Sequence, residues 1–422
     1  MAGSKTKKTK KFALDSSATF YPYFTTAKTQ SMFCVGATLN CEIDKDVLKR
    51  ATNDAINRFP LYKTKIAKGY GAYYLKGIDK PVEVFGFDGK ILKPIDTKLT
   101  NGYQFRLACD GDRIKLETFH ALTDANGAVA FLAAIIRRYR ELCGVRFDED
   151  IKVFAWGDTP SDGEFEDAFK KYYKRISLGE LNLKGMAGEA PHRIEGTLLD
   201  EYALIEGEAD AEALVGCARA MGVSLTAYIA GVTAHSILKT SDVKRPIAIM
   251  IPVNLRKIFP SETLSNFITF VRLIIKKDEC ETLEDCVKSC AAQLADKASK
   301  EKMQAFISTT VRAQRNIIFR AAPLFLKWIL MRLGRLFMKS RQTIIISNLG
   351  NFKFPAEMGI EEIYLNLNVS KNNVQNLGIA SCGGKCKLMF TSAIEELDMP
   401  SAVLDTLRRE VAKNNENASL SC

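Results

Sequence analysis

The chain has 422 residues, 47% of them hydrophobic and 26% charged, with a formal net charge of +11. That length exceeds one ordinary core and the composition is that of a globular protein, so two domains or two halves of a pseudo-repeat are expected. The basicity is local: residues 1–12 carry five lysines, residues 310–341 carry eight basic side chains and no acid, and without those thirteen charges the net is −2, which excludes a general nucleic-acid footprint.

Eleven cysteines are scattered without C-x-x-C pairs. The spacings Cys286/Cys290 and Cys382/Cys386 lack histidine partners nearby, so no metal site is expected. An odd cysteine count and no apolar leader behind the basic N-terminus point to a reducing cytoplasm. No stretch reaches about 18 uninterrupted apolar residues, so no membrane span is expected.

Residues 1–11 read as a disordered lysine tail. A strand is expected near Met32–Leu39, then a helix capped by Asp44 that turns Val47, Leu48, Ala51, Ala55 and Ile56 inward and closes at Pro60. Short alternating strands fill residues 63–84. Tyr103–Cys109 and Arg113–Phe119 pair as a hairpin across Asp110-Gly111-Asp112. In its second strand Ile114, Leu116 and Thr118 alternate with Arg113, Lys115 and Glu117, which predicts one buried face. His120 follows directly, in His120-Ala121-Leu122-Thr123-Asp124. Beyond it Val129, Phe131, Leu132, Ile135, Ile136 and Tyr139 recur at helical spacing, and this helix ends near Gly144. His120 thus stands where a strand hands over to a helix. The backbone is fixed there from both sides, and a general base needs such rigidity. Asp124 has a plainer reading as the helix N-cap, accepting from Asn126 N–H or Gly127 N–H.

Residues 157–197 are punctuated by glycine and proline and read as a crossover linker between an N-terminal half, 12–156, and a C-terminal half, 198–422. His192, within the linker, is expected in solvent. The second half should open with a strand near Leu198–Glu206 and helices around 209–221 and 224–239, the latter partly burying His235 as a structural residue. Pro246–Val253 is a nearly continuous apolar run, as for a buried strand, and ends in Asn254-Leu255-Arg256. Another strand is expected over Phe267–Lys277 and a helix over 281–300. Between Leu324 and Lys339, the side chains Lys327, Arg332, Arg335 and Lys339 share one arc of a helical wheel; Phe325, Leu326, Ile329, Leu330, Leu333, Leu336 and Phe337 fill the other. Two readings stand: a core helix with a solvated basic face, or an interfacial helix on anionic lipid, where each Lys or Arg near the surface adds ~1 kcal/mol. Thr343–Ile346 reads as a buried strand and Ser347-Asn348-Leu349-Gly350 as its turn. Strands near Glu362–Val369, Val374–Ser381 and Lys385–Ala393 precede a final helix from Ser401 to Lys413.

His120-x-x-x-Asp124 at a strand-to-helix junction, Pro252-Val253-Asn254-Leu255-Arg256 ending a buried strand, and Ser347-Asn348-Leu349-Gly350 together resemble the chloramphenicol-acetyltransferase-like acyltransferases. That superfamily takes in condensation domains, wax ester synthases and alcohol acetyltransferases. The pattern is most similar to bacterial alcohol-acetyltransferase-like proteins, which share Leu14-Asp15…Tyr21-Pro22, Arg58-Phe59-Pro60 and Leu255-Arg256-Lys257-x-Phe259-Pro260-Ser261. Two departures stand out: Ala125 where relatives carry Gly after the motif Asp, and Phe119 where many carry a second His. The resemblance implies an α/β fold of two similar halves, each a mixed sheet flanked by helices, with an active-site tunnel between them. It implies acyl transfer from a thioester, acyl-CoA or an acyl-carrier protein, to a hydroxyl or amine, with His120 as base and no metal. Asp124 would shape the loop through an ion pair. Arg256 is the expected partner, because an unpaired guanidinium ending a buried strand is costly. Ser347 or Asn348 would orient or polarise the reacting groups. Two other functions remain open: a non-catalytic binding or scaffolding protein that keeps the fold, and a peripheral membrane protein built around residues 310–340.

Overall fold

A computed structural model of the chain describes residues 10–26, 30–148, 151–176, 189–315, 321–337 and 341–420. Most of the expected lysine tail lies outside these residues, as do the centre of the crossover segment, Arg320 and Lys339. Lys11, expected in the tail, instead opens β1 (Lys11–Ala13) opposite Lys76. The single-turn helix α1 (Tyr21–Phe24), with Pro22 in its first turn, leads into β2 (Met32–Leu39). Helix α2 (Lys45–Ala55) starts where the Asp44 carboxylate accepts from Asp46 N–H and Val47 N–H. Strands β3 (Thr64–Lys68) and β4 (Tyr73–Gly77) join β1 in a small antiparallel sheet of order β1-β4-β3.

β5 (Val84–Gly86), β6 (Phe105–Asp110) and β7 (Arg113–Phe119) follow, and α3 (Ala125–Leu142) leaves the motif turn. The expected alternation of β7 breaks at Glu117, which is 3% exposed. Its carboxylate pairs with Arg106 at 2.6 Å and accepts from Leu92 N–H at 2.6 Å. Both faces of the strand are covered, and the buried acid persists because both its oxygens are satisfied.

The crossover segment is more than a connector. It carries a 3₁₀ turn (Asp162–Phe165) and helix α4 (Ala168–Lys171), with Phe169 fully buried. Glu164 reaches back to Arg58 in a bidentate pair with both bonds at 2.7 Å and both side chains nearly inaccessible. Removing either partner would strand a buried charge, so this pair fastens the segment to the first half. His192, expected in solvent, is half-buried: its N–H bonds Pro246 O, its carbonyl accepts from Thr343, and burial lowers its ring pKa.

The second half runs through β8 (Leu198–Asp210), α5 (Ala211–Ala220), α6 (Leu225–Thr240), β9 (Ile247–Asn254) and β10 (Ile268–Ile275). Then come α7 (Leu283–Lys297), α8 (Lys300–Arg315), α9 (Leu324–Phe337) and β11 (Ile344–Phe352). β12 (Ile360–Leu367), β13 (Gln375–Cys382), β14 (Lys385–Ile394) and α10 (Asp398–Leu420) close the chain, α10 beginning before the expected Ser401.

These strands build two mixed sheets, of order β12-β2-β7-β6-β5 and β10-β9-β11-β13-β14-β8. β12 comes late in the chain yet pairs antiparallel with β2, so the C-terminal segment supplies the edge strand of the first sheet. Ser347–Gly350, expected as a turn, stays within β11 as a bulge: the register with β13 shifts between Asn348 and Asn351, and Gly350 takes φ +89°. The sheets approach closely at Gly378 of β13, where a Cβ would lie 2.0 Å from Leu365 O of β12. A side chain there would force the sheets apart. Helices α2 and α3 bury the core of the first sheet, while α6, α7 and α10 bury that of the second. The result is the expected α/β architecture of two halves, each a mixed sheet flanked by helices.

Helix α9 departs from the expected division of faces at Lys327. Lys327 turns inward, 4% exposed, with its Nζ 2.5 Å from Gly71 O. Among the described side chains of the helix, Phe325, Leu326, Trp328, Ile329, Leu330 and Leu333 are exposed. Exposure of the apolar arc departs from the core-helix reading, and burial of Lys327 departs from both readings. Among the described residues no single helix is long and apolar enough to cross a membrane.

Candidate active site

β2 and β7 are paired antiparallel with Met32 opposite Phe119, and His120 N–H continues the ladder by donating to Ser31 O at 2.8 Å. That bond fixes the histidine backbone one residue beyond the strand. The ring lies stacked on Tyr21, with centroids 5.0 Å apart, and tilted against Phe33 at 4.8 Å. Burial pushes the imidazole pKa below its ordinary value, against hydrogen bonds to Asn266 and nearby carbonyls and the charge of Asp124. The ring is therefore neutral at neutral pH, the form that accepts a proton.

The two oxygens of Asp124 divide their work. Oδ1 caps α3, accepting from Asn126 N–H and Gly127 N–H at 3.2 Å. Oδ2 accepts from Arg256 Nη1 at 2.7 Å and from Phe267 N–H at 2.9 Å. The helix cap and the ion pair are thus both present on one carboxylate that is 1% exposed. Arg256 also donates from Nε to Thr263 O (2.9 Å) and from Nη2 to Ser265 O (2.5 Å). One guanidinium clasps the 254–267 loop of the second half onto the motif turn of the first.

Gly127 makes that clasp possible. A Cβ there would meet Leu264 O at 2.4 Å, and the Thr123 hydroxyl already donates to the same carbonyl at 2.5 Å. Ala125, the departure from the family pattern, is the first helical residue and has no left-handed backbone, so the loop does not require glycine there. Gly127→Ala is expected to lower stability by about 1–3 kcal/mol through overpacking. Ala125→Gly should cost no more than about 1 kcal/mol. Chemical denaturation of the two variants checks this; equal small losses would mean that the halves do not meet closely at Gly127.

A cavity of about 590 Å³ opens between the sheets. Tyr21, Phe33 and His120 border it from the first half; Ile251, Val253, Phe270 and Leu294 make much of its apolar wall from the second. Asp124, Ser347 and Asn348 also border it, whereas Arg256 is not on its wall. The Asn348 amide is committed: Nδ2 donates to Thr226 Oγ1 at 3.1 Å and Oδ1 accepts from Gly350 N–H at 2.8 Å. Lys257, an exposed residue, brings a cation to the lining.

Two residues with no assigned role in the sequence join this site. Asn266, fully buried, places Oδ1 2.9 Å from His120 Nδ1. Its Nδ2 donates to His120 O and to Asp15 Oδ2, both at 3.0 Å, and its backbone N–H donates to Asp15 Oδ2 at 3.1 Å. Asp15 Oδ1 accepts from Ser17 N–H (2.8 Å) and Ala18 N–H (2.7 Å). Burial pushes the Asp15 carboxyl up to about 6, while these N–H donors favour its charge. Asp15 was visible as part of the Leu14-Asp15 resemblance; Asn266 belongs to no motif or periodicity. Among the described residues no group of three or more His, Cys, Asp or Glu side chains is placed to hold a metal ion.

No protein-family model and no curated protein matches the sequence. Solved structures do match the fold over nearly its whole length. Polyketide synthase associated protein 5 from Mycobacterium tuberculosis superposes with a TM-score of 0.59 at 15% identity, over 89% of this chain and 93% of that one. The epimerization domain from the third module of tyrocidine synthetase B gives 0.59 at 11%, over 98% and 99%. A mutant starter condensation domain of rhizomide synthetase RzmA, in complex with C8-CoA and Leu-SNAC, gives 0.60 at 12%, over 96% and 95%. The chain has the two-lobed fold of condensation and epimerization domains. At these identities the likeness concerns the fold.

Proposed function

We propose that this chain is an acyltransferase that moves an acyl group from a thioester, acyl-CoA or an acyl-carrier protein, to a hydroxyl or amine. The observation that carries the reading is an imidazole held by the Ser31 O bond and by Tyr21 and Phe33 on a largely apolar cavity between two sheets, where burial lowers its pKa. His120 takes the acceptor's proton as its oxygen or nitrogen attacks the thioester carbonyl. The C–S bond then breaks, and the proton passes from His120 to the departing sulfur. A thiol, with a reference pKa near ~8.5, leaves more readily than an alkoxide. Asp124 and Arg256 are positioning residues in this scheme. Ser347, on the cavity wall, is the candidate to polarise the carbonyl, and Asn348 shapes the wall. The apolar lining suits an acyl chain, and Lys257 suits a phosphate of the donor's pantetheine arm. The complex of the rhizomide domain with C8-CoA supports acyl-CoA as a donor on this fold. A closer kinship to alcohol-acetyltransferase-like proteins rests on the sequence motifs.

Thioester consumption by the purified full-length chain tests the reading, across acyl-CoA chain lengths and with alcohol or amine acceptors. Thiol release that depends on the acceptor is expected. A folded chain that consumes no thioester under any pairing would favour a binding or scaffolding role.

The exposed face of α9 favours a second reading beside catalysis, contact with anionic membrane. Six large apolar side chains are exposed on one helix, within the acid-free basic segment 310–341. Because Lys327 is buried, the apolar side chains and not that lysine would enter the lipid. A chain starting at Phe12, which removes the lysine tail, should co-sediment with anionic vesicles and lose binding on Trp328→Glu with Leu330→Glu. Absence of binding at low salt, where screening is least, would return the face to a protein partner.

A further inference from the structure

We infer that Asp15 and Asn266 form one positioning device that fixes the tautomer of His120, with the proton on Nδ1 and the lone pair on Nε2. The catalytic meaning rests on the acyl-transfer reading; the tautomer itself does not. The two ends of the Asn266 amide are alike in shape and are told apart by their partners. One end lies 3.0 Å from Asp15 Oδ2 and 3.0 Å from His120 O. A carboxylate and a carbonyl are both acceptors, so that end is the NH₂, and its two hydrogens are used up. The carbonyl end therefore faces His120 Nδ1 at 2.9 Å. An amide oxygen only accepts, so the contact is a hydrogen bond when Nδ1 carries the proton. Nε2 is then the basic nitrogen.

Asp15 makes this orientation hard to reverse. Turning the amide over would set its oxygen against both the Asp15 carboxylate and the His120 carbonyl, and its NH₂ against Nδ1–H. Asp15 cannot swing away to relieve that conflict, because Ser17 N–H, Ala18 N–H and Asn266 N–H hold its two oxygens. Asn266 is fully buried and Asp15 nearly so, so water does not substitute for a lost partner without cost. The device also links the halves. Asp15 lies before α1, His120 stands one residue beyond β7, and Asn266 stands two residues before β10, against the His120 ring. An imidazole in the other tautomer offers the acceptor a proton where a lone pair is required, a defect able to cost several orders of magnitude in turnover.

The test reads the tautomer directly. Full-length protein labelled with ¹⁵N-histidine is examined by long-range ¹H–¹⁵N correlation at neutral pH, the His120 signals being identified by their loss in His120→Gln. The expected wild-type spectrum has a protonated Nδ1 and a bare Nε2. Asp15→Asn brings an NH₂ toward Asn266 and releases the amide to turn, so the Nε2–H form should appear and kcat should fall by about 10²-fold. Asn266→Leu, of similar size but without the acceptor, should lose the Nδ1–H preference and provides a second variant if Asp15→Asn does not fold. A wild-type Nε2–H tautomer overturns the inference outright. So does an unchanged tautomer in folded variants, whatever their activity, because the pair would then be merely structural. Absence of thioester turnover with the expected tautomer would count against the acyl-transfer reading and leave the positioning device standing.

Discussion

His120→Ala is expected to lower kcat/KM for acyl transfer by about 10²–10⁴-fold, the range for removal of a positioned general base. The fold should survive, because the backbone N–H that anchors the residue to Ser31 O remains and Asp124 continues to cap α3. Circular dichroism and a cooperative unfolding transition check that condition. The pH profile carries the same claim in wild-type protein. Burial lowers the imidazole pKa, so the acid limb of kcat/KM should lie below pH 6.5, where the free ring titrates, and activity should fall as pH drops through it. On acidification the unfolded chain takes up the proton first, so this site's contribution to stability is present above about pH 6.5 and is lost as pH falls toward the lowered value. An acid limb above pH 7, or turnover near the wild-type rate in His120→Ala, would remove the proposed base.

The second large effect concerns the clasp between the halves. Arg256→Ala leaves the Asp124 carboxylate 1% exposed without its cation, and loss of one partner of such a pair costs roughly 3–5 kcal/mol. Asp124→Asn keeps the shape but weakens two charge-assisted bonds at Oδ2 and two at the cap. Because both variants break the same contact, the double variant should cost less than their sum, by about 1 kcal/mol or more. Activity should fall with stability, since the Asp124 turn carries His120. Denaturant unfolding of the four proteins gives the coupling directly. Strict additivity would mean that Asp124 serves the helix cap alone.

Local pattern made much of this site legible. The β7 hairpin, the turn at His120 and the cap at Asp124 follow from alternation, helical spacing and turn chemistry within about twenty residues. Arg256 was reachable because a charged residue ending a buried strand demands a partner. Asn266 was not, since its bonds run to Asp15 and His120, 251 and 146 positions away, and leave no periodicity behind. Glu117 and Lys327 failed for a related reason. Each sits at a position that its own element marks as outward, and each is buried by a distant partner, Arg106 with Leu92 or the Gly71 carbonyl. The crossing of β12 into the first sheet is likewise a tertiary choice, readable only in the pairing with β2 and the close approach at Gly378.

The measurement that bears most directly on the account is a single turnover followed by mass spectrometry. Wild-type protein in excess over an acyl-CoA, with an alcohol or amine acceptor, should yield one ester or amide and one free thiol per donor consumed. His120→Ala, folded and at the same concentration, should release neither product on that timescale. Equal yields from the two proteins would contradict a catalytic imidazole at residue 120.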